Sequence, residues 1–270
     1  MTQTAVVVCD SVTRMGPEVV GRAVIAASHG GLYAVHLALA EGVAGLVVCD
    51  AGVGLERAGI AGLALAESLG VPCAAIEADS ARIGDGADCA RRGRISFANV
   101  VAERLGIAPG MPAMEAALRM AVGPLQRVDP GPAPAESRQV LPTPAGQRSV
   151  VLIDSASLVL PADREAVVIT ASHGGLLGGR PETAIKYPVA AALYNDAGVG
   201  CDAAGISRLP VLEAQGIPAA TVAAGSARIG VAWSSWETGV ISHVNACAHA
   251  RGARPGLSVQ AWAERMARMD

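Results

Sequence analysis

The sequence predicts an α/β protein of two tandem, pseudo-symmetric βαβ-type units with mainly parallel sheets, on three observations. First, Ser-His-Gly-Gly occurs twice, as Ser28, His29, Gly30, Gly31 and as Ser172, His173, Gly174, Gly175, each time directly after an apolar run. An apolar run that breaks into a polar pair and two glycines reads as a strand, a tight turn and a helix start. Second, other blocks recur in the same order: Asp-Ser at 10–11 and 154–155, DAGVG at 50–54 and 196–200, AGI at 58–60 and 204–206, SARIG at 80–84 and 226–230, and ISxxN at 95–99 and 241–245. The offset is 144 through SHGG and 146 from DAGVG onward, so the second copy holds two extra residues between those blocks. Third, apolar runs alternate with helical stretches of about ten residues, the pattern of right-handed βαβ units. The chain therefore divides into a first repeat unit at 1–120, a Pro-rich linker at 121–148 and a second repeat unit at 149–270.

Unit one opens with a strand at 5–10 and, after an irregular stretch through Pro17, a second at 23–27. A helix over 32–42 closes at Gly42, as a helix C-terminus should. A strand at 44–50 leads into the DAGVG loop, a helix over about 57–69 stops at Gly70 and Pro72, and a strand at 73–78 delivers SARIG. A helix over about 97–105 is expected to close the motif region. Residues 121–148 carry six prolines and few apolar residues, which reads as an extended, semi-rigid connector. Unit two repeats the plan, including a helix after its SHGG, and ends in an amphipathic helix that matches the Met114 to Met120 region of unit one.

Composition narrows the function classes. The apolar fraction is 51% with one Phe, which suits buried parallel strands under Ala-rich helices. A net charge of -3 gives no electrostatic footprint for nucleic acid or an anionic membrane. The longest mainly apolar window, about 32–48, contains His36 and Glu41 and is too short to span a bilayer. The N-terminal stretch has no basic lead, and none of the six cysteines is matched across the copies or set in a CxxC spacing. Both features predict a cytoplasmic protein without a disulfide framework. The apolar content further suggests a homo-oligomer.

Ligands of open parallel sheets bind beyond the carboxyl ends of the strands, where every repeated polar block falls. Ser28 and Ser172 are candidate nucleophiles or oxyanion donors, and His29 and His173 candidate acids or bases. The glycines Gly30, Gly31, Gly174 and Gly175 could offer backbone N–H groups to a substrate anion. Asp50 and Asp196 could orient the histidines, and Arg82 and Arg228 could grip a substrate carboxylate or imide. The bland alternatives are turn formation, helix capping and internal ion pairing. No resident cofactor is expected, although two His and two Asp could together hold a divalent metal. Lys186, the chain's single lysine, lies in unit two.

In architecture the duplication is similar to ring-opening amidohydrolases of cyclic ureides, whose tandem α/β repeats converge on one pseudo-symmetric site. Those repeats number three and use Ser-Lys pairs. The Asp10-Ser11 turn after the first strand is similar to one in the two-lobed amino-acid racemases, whose paired catalytic cysteines have no counterpart here. The expected function is hydrolysis of a non-peptide carbon–nitrogen bond of amide, imide or ureide type. The expected partner is a small polar or anionic substrate held in a cleft between the repeats. The alternatives are a cofactor-independent isomerase, racemase or lyase, and a non-catalytic ligand-binding or assembly protein.

Overall fold

The computed structural model describes residues 6–122 and 128–269. Ala5 of the expected first strand and residues 123–127 of the linker lie outside the described residues. Unit one runs β1 (Val6–Cys9), β2 (Ala23–His29), α1 (Leu32–Ala40), β3 (Gly45–Cys49), α2 (Gly62–Ser68), β4 (Cys73–Ile76), α3 (Gly86–Arg92), β5 (Ile95–Ala98), α4 (Val100–Glu103) and α5 (Ala113–Ala121). The strands pair in the order β1-β2-β3-β4-β5, all parallel except β5, which closes the edge antiparallel to β4.

Then follow β6 (Arg138–Leu141), β7 (Val150–Ile153), β8 (Val167–His173), β9 (Ala191–Asn195), α6 (Arg208–Ala214), β10 (Ala219–Val222), α7 (Ala232–Thr238), β11 (Ile241–Val244), α8 (Ala246–Ala250) and α9 (Val259–Ala267). Strands β7 to β10 reproduce the parallel core, β11 mirrors β5, and β6 adds an antiparallel strand against β7. The α/β class and the two-unit layout are as the sequence predicts. No helix of the described residues is long and apolar enough to cross a membrane.

The apolar runs of the inner strands are explained by burial on both faces. In β2, Ala23, Ile25 and Ala27 pack toward α3 and α5, while Val24 and Ala26 pack toward α1 and α2.

Two local expectations are corrected. The helix expected over 97–105 is instead β5 followed by α4. Ile-Ser-Phe-Ala pairs antiparallel with β4, with Ile95 packed on the α5 side and Phe97 on the α2 side, and Asn99 caps α4 by accepting from the Ala102 N–H at 2.9 Å. The helix expected after the second SHGG is replaced by two 3-10 turns, Leu177–Gly179 and Pro181–Thr183. There Gly178 and Gly179 take positive φ, and Pro181 cannot continue a helix. Within the expected extended connector, residues 138–141 form β6 against β7.

The two units meet through their DAGVG loops. Gly52 and Gly198 stand back to back, and a Cβ on Gly52 would lie 2.8 Å from the Gly198 Cα. Around them the Leu55 N–H donates to the Ala224 carbonyl and the Cys201 N–H to the Ala78 carbonyl, each at 2.8 Å. Ala197, Ala204 and Ile229 of unit two complete the hydrophobic core of unit one. The positive-φ non-glycine residues are the same positions in both copies: Ala51, Val53, Glu56 and Arg57, and Ala197, Val199, Asp202 and Ala203. A left-handed conformation costs an L-residue about 1–2 kcal/mol, so these loops are held by the contact they make. Ala203→Gly, at an exposed member of this set, is expected to raise the unfolding free energy by about 1 kcal/mol in urea titration. Gly52→Ala adds a clash to the same conformational cost and is expected to lower it by about 2–4 kcal/mol. A stable Gly52→Ala protein would show that the loops do not hold the units together.

Candidate active site

β2 and β8 end on His29 and His173, and in each strand the pairing register breaks just before the histidine. Such an irregularity re-aims the side chain beyond it. Both imidazoles are thereby delivered to one cavity of about 410 Å³ between the units. Its wall includes Ser11, Ser28 and Tyr33 of unit one, Ser155, Ser172 and Arg208 of unit two, and Glu136 of the connector.

The second glycine of each SHGG has a specific task. The Gly31 N–H donates to His29 Nδ1, and the Gly175 N–H to His173 Nδ1, both at 3.1 Å. A Cβ on Gly31 would lie 2.7 Å from that nitrogen, so only glycine allows this approach. A ring nitrogen that accepts an amide N–H carries no proton, so the neutral imidazole holds its proton on Nε2. Each ring also rests against the other unit. Cβ atoms built on Gly84 and Gly230 would lie 3.3 Å from His173 Cε1 and 3.5 Å from His29 Cε1.

Burial keeps both rings neutral. Desolvation pushes the His29 pKa down from 6.5 to about 4. The His173 pKa is well below the usual value, through desolvation first and then the charges of Arg208 and His29. The pair is therefore suited to donate two Nε2–H bonds and is poorly suited to accept a proton near neutrality.

The remaining sequence candidates fall into two groups. Ser28 and Ser172 line the cavity, where their Oγ atoms accept the Val12 and Ala156 N–H groups at 3.0 and 2.8 Å. These bonds tie each Asp-Ser turn to its SHGG. Among the described residues no base bonds either hydroxyl, so the expected activated serine is not assembled.

The other candidates are engaged elsewhere. The Gly30 and Gly174 N–H groups donate to the Cys49 and Asn195 carbonyls at 2.8 Å, so none of the four SHGG amides is open to a substrate anion. Asp50 Oδ1 accepts the Gly52 and Ala78 N–H groups and Oδ2 accepts the Ser96 hydroxyl. Asp196 accepts the Gly198 and Ala224 N–H groups. These aspartates shape the inter-unit loops and orient neither histidine. Nor do they join the histidines in a four-ligand metal site, and the described residues hold no group of three or more His, Cys, Asp or Glu suited to a metal.

Arg82 pairs with Asp202 at 3.0 Å and Arg228 with Glu56 at 3.1 Å, equivalent ion pairs that cross between the units. Besides Arg14, the cavity wall carries Arg208. Its Nε donates to the Gly175 carbonyl at 3.0 Å and its Nη1 to the Ala184 carbonyl at 2.7 Å.

Glu136 is the other residue that the repeats do not announce, because the connector is traversed once. It accepts the Tyr33 hydroxyl at 3.2 Å, and burial raises its carboxyl above the usual range. Arg208 could have been noticed as an asymmetry: its counterpart is Gly62, where a Cβ would clash with Val35.

No family model matches the sequence, and comparison with curated proteins and with solved structures gives no match. The reading of the site rests on its geometry.

Two outcomes follow from the tautomer. In ¹⁵N spectra, His29 and His173 are expected to show a non-protonated Nδ1 and a protonated Nε2 at neutral pH, and His29 is expected to titrate near pH 4. Because the folded pKa is depressed, the stability contributed by neutral His29 is fully present above about pH 6.5 and is lost as pH falls toward 4. The His29→Gln variant should lose less stability than the parent over that window. A His29 that titrates near 6.5 would remove the basis of this assignment.

Proposed function

We propose that the cavity between the units hydrolyses a non-peptide carbon–nitrogen bond of amide, imide or ureide type in a small polar substrate. One observation carries the reading: two neutral histidines from opposite units line one cavity with their Nδ1 atoms locked by backbone amides. Fixed donors in a site sheltered from water stabilise a carbonyl oxygen as it gains negative charge, and a neutral imidazole does so without first giving up a proton.

In this reading the Nε2–H groups hold the substrate oxygen while water attacks the carbonyl carbon. Glu136 is the base, because its raised pKa brings its proton affinity closer to neutrality. It takes a proton from the water as the C–O bond forms. When the tetrahedral intermediate collapses, the C–N bond breaks and the nitrogen leaves with the proton that Glu136 returns. The Ser28 and Ser172 hydroxyls accept backbone N–H groups; Ser28 directs its proton to Ser11 Oγ at 3.5 Å, and Ser172 keeps its proton to donate to substrate. A water nucleophile thus replaces the serine nucleophile expected from sequence. The cysteines, all free thiols, suit a reducing compartment such as the cytoplasm.

A second reading, isomerisation by proton transfer, draws on the near-equivalence of His29, Ser28 and Ser11 to His173, Ser172 and Ser155 around the cavity. Glu136 has no such counterpart and favours hydrolysis.

Turnover of a panel of amides, cyclic imides and ureides tests the proposal. With the responding substrate, His29→Leu and His173→Leu, which carry no donor, should each lower kcat about 10²–10³-fold at nearly unchanged KM, as loss of an oxyanion donor does. Glu136→Gln should abolish the acidic limb of the pH–rate profile. Incorporation of solvent deuterium into recovered substrate, without hydrolysis, would transfer the site to the isomerase class. Full activity in both histidine variants would remove the proposal.

A further inference from the structure

We propose that Arg208, with Arg14 and Lys186, forms an anion subsite at the unit-two end of the cavity, and that the substrate carries a carboxylate beside its scissile carbonyl. The subsite stands on ion-pairing geometry; only the word substrate rests on the hydrolase reading.

Arg208 is 5% exposed, yet its partners are neutral. They are the Gly175 and Ala184 carbonyls and the Tyr194 ring, whose centroid lies 4.8 Å from the guanidinium carbon. The more exposed Arg82, Arg92, Arg138, Arg148, Arg180 and Arg228 each have an acidic partner, and Arg94, Arg251 and Arg254, which bond carbonyls, are not buried. No carboxylate pairs with Arg208 among the described residues. A desolvated cation without a counter-ion is costly, and an anionic ligand removes that cost when it binds.

Two further cations share the wall without an acidic partner among the described residues. Arg14 enters from unit one, close enough for its charge to lower the Arg208 pKa. Lys186 stands over the Tyr187 ring at 5.5 Å. Among the described residues none of the acids of the same wall forms an ion pair with them. Asp154 accepts the Ser137 and Ala232 N–H groups, Glu136 holds Tyr33, and Glu182 is exposed.

The ligand class follows from the donors. Two of the five Arg208 N–H groups are committed to carbonyls, and the three that remain on Nη1 and Nη2 can grip a planar carboxylate through both nitrogens. A cavity of about 410 Å³ is at the small end of ligand pockets, which suits a compact organic acid. Unit one cannot mirror the subsite, because its equivalent position is Gly62, packed on Val35. The carboxylate therefore breaks the pseudo-symmetry and sets which way the substrate lies.

Calorimetric titration of the full chain with N-carbamoylglycine, its uncharged amide, glutarate and inorganic phosphate tests this. The carboxylates should bind, the uncharged amide at least tenfold more weakly, and phosphate more weakly than either carboxylate. Arg14→Gln and Lys186→Gln, at exposed positions, should fold and weaken carboxylate binding about threefold to tenfold. Arg208→Met, if folded by circular dichroism, should abolish it. Binding of N-carbamoylglycine and its amide with equal affinity, carboxylate binding unchanged in Arg14→Gln and Lys186→Gln, preference for phosphate, or no binding of any carboxylate would each overturn the subsite. Histidine-dependent turnover with no preference for charged substrates would overturn the subsite and leave the hydrolase reading standing. Arginine-dependent binding with histidine-independent turnover would do the reverse.

Discussion

The contact between the two DAGVG loops is the constraint on which the rest of the molecule depends. Gly52 and Gly198 bring the loop backbones together at the pseudo-two-fold axis, closer than any side chain would permit. Asp50 and Asp196 hold each loop in shape by accepting two backbone N–H groups apiece, and the arginines of both SARIG blocks reach across to the opposite unit. The strained residues of each loop persist because these bonds over-determine their conformation. With the loops fixed, the ends of β2 and β8 face a common space, and a glycine from each unit seats the histidine of the other. Neither unit builds the cavity alone.

Symmetry is kept where the units meet and abandoned where a ligand would lie. In unit one, α1 packs on α2 because Gly62 leaves room for Val35. In unit two the residue at that position is Arg208, and the segment opposite it is a pair of 3-10 turns whose Ala184 carbonyl accepts from the guanidinium. The connector contributes on one side only: Glu136 reaches Tyr33, and the Gly131 carbonyl lies 3.1 Å from His36 Nε2 on the same helix. Duplication thus supplies a frame with two equivalent histidines, and the departures from duplication give that frame a direction.

Much of this frame is legible in the sequence, because strand ends and turn glycines are local features. The repeat blocks locate the parallel strands and place both SHGG motifs at strand ends. What is missed depends on contacts distant in sequence. Asp50, Asp196, Arg82 and Arg228 are the right residue types for a site, and only the opposite loop shows that they serve the inter-unit contact. Four residues in Ile-Ser-Phe-Ala are too few to separate a strand from a helix start by periodicity. The second post-SHGG helix was excluded locally by Gly178, Gly179 and Pro181, but the homologous block in unit one argued for it. Glu136 sits in a proline-rich connector, where composition points only to a spacer.

The chemistry of the two histidines is set by the glycine two residues further on. A histidine at a strand end is ordinarily a candidate base, and its role turns on which nitrogen is engaged. Here the missing Cβ of Gly31 and Gly175 lets a backbone N–H occupy Nδ1, the proton is left on Nε2, and burial prevents a second proton from joining it. A protonated ring would have to break the amide bond and place a cation in the low-dielectric interior; for His173 it would also stand against Arg208. The same arrangement therefore suppresses basicity and preserves hydrogen-bond donation. A proton acceptor, if the cavity is to move protons, must come from outside the duplicated motif, and the raised Glu136 carboxyl on the connector meets that requirement.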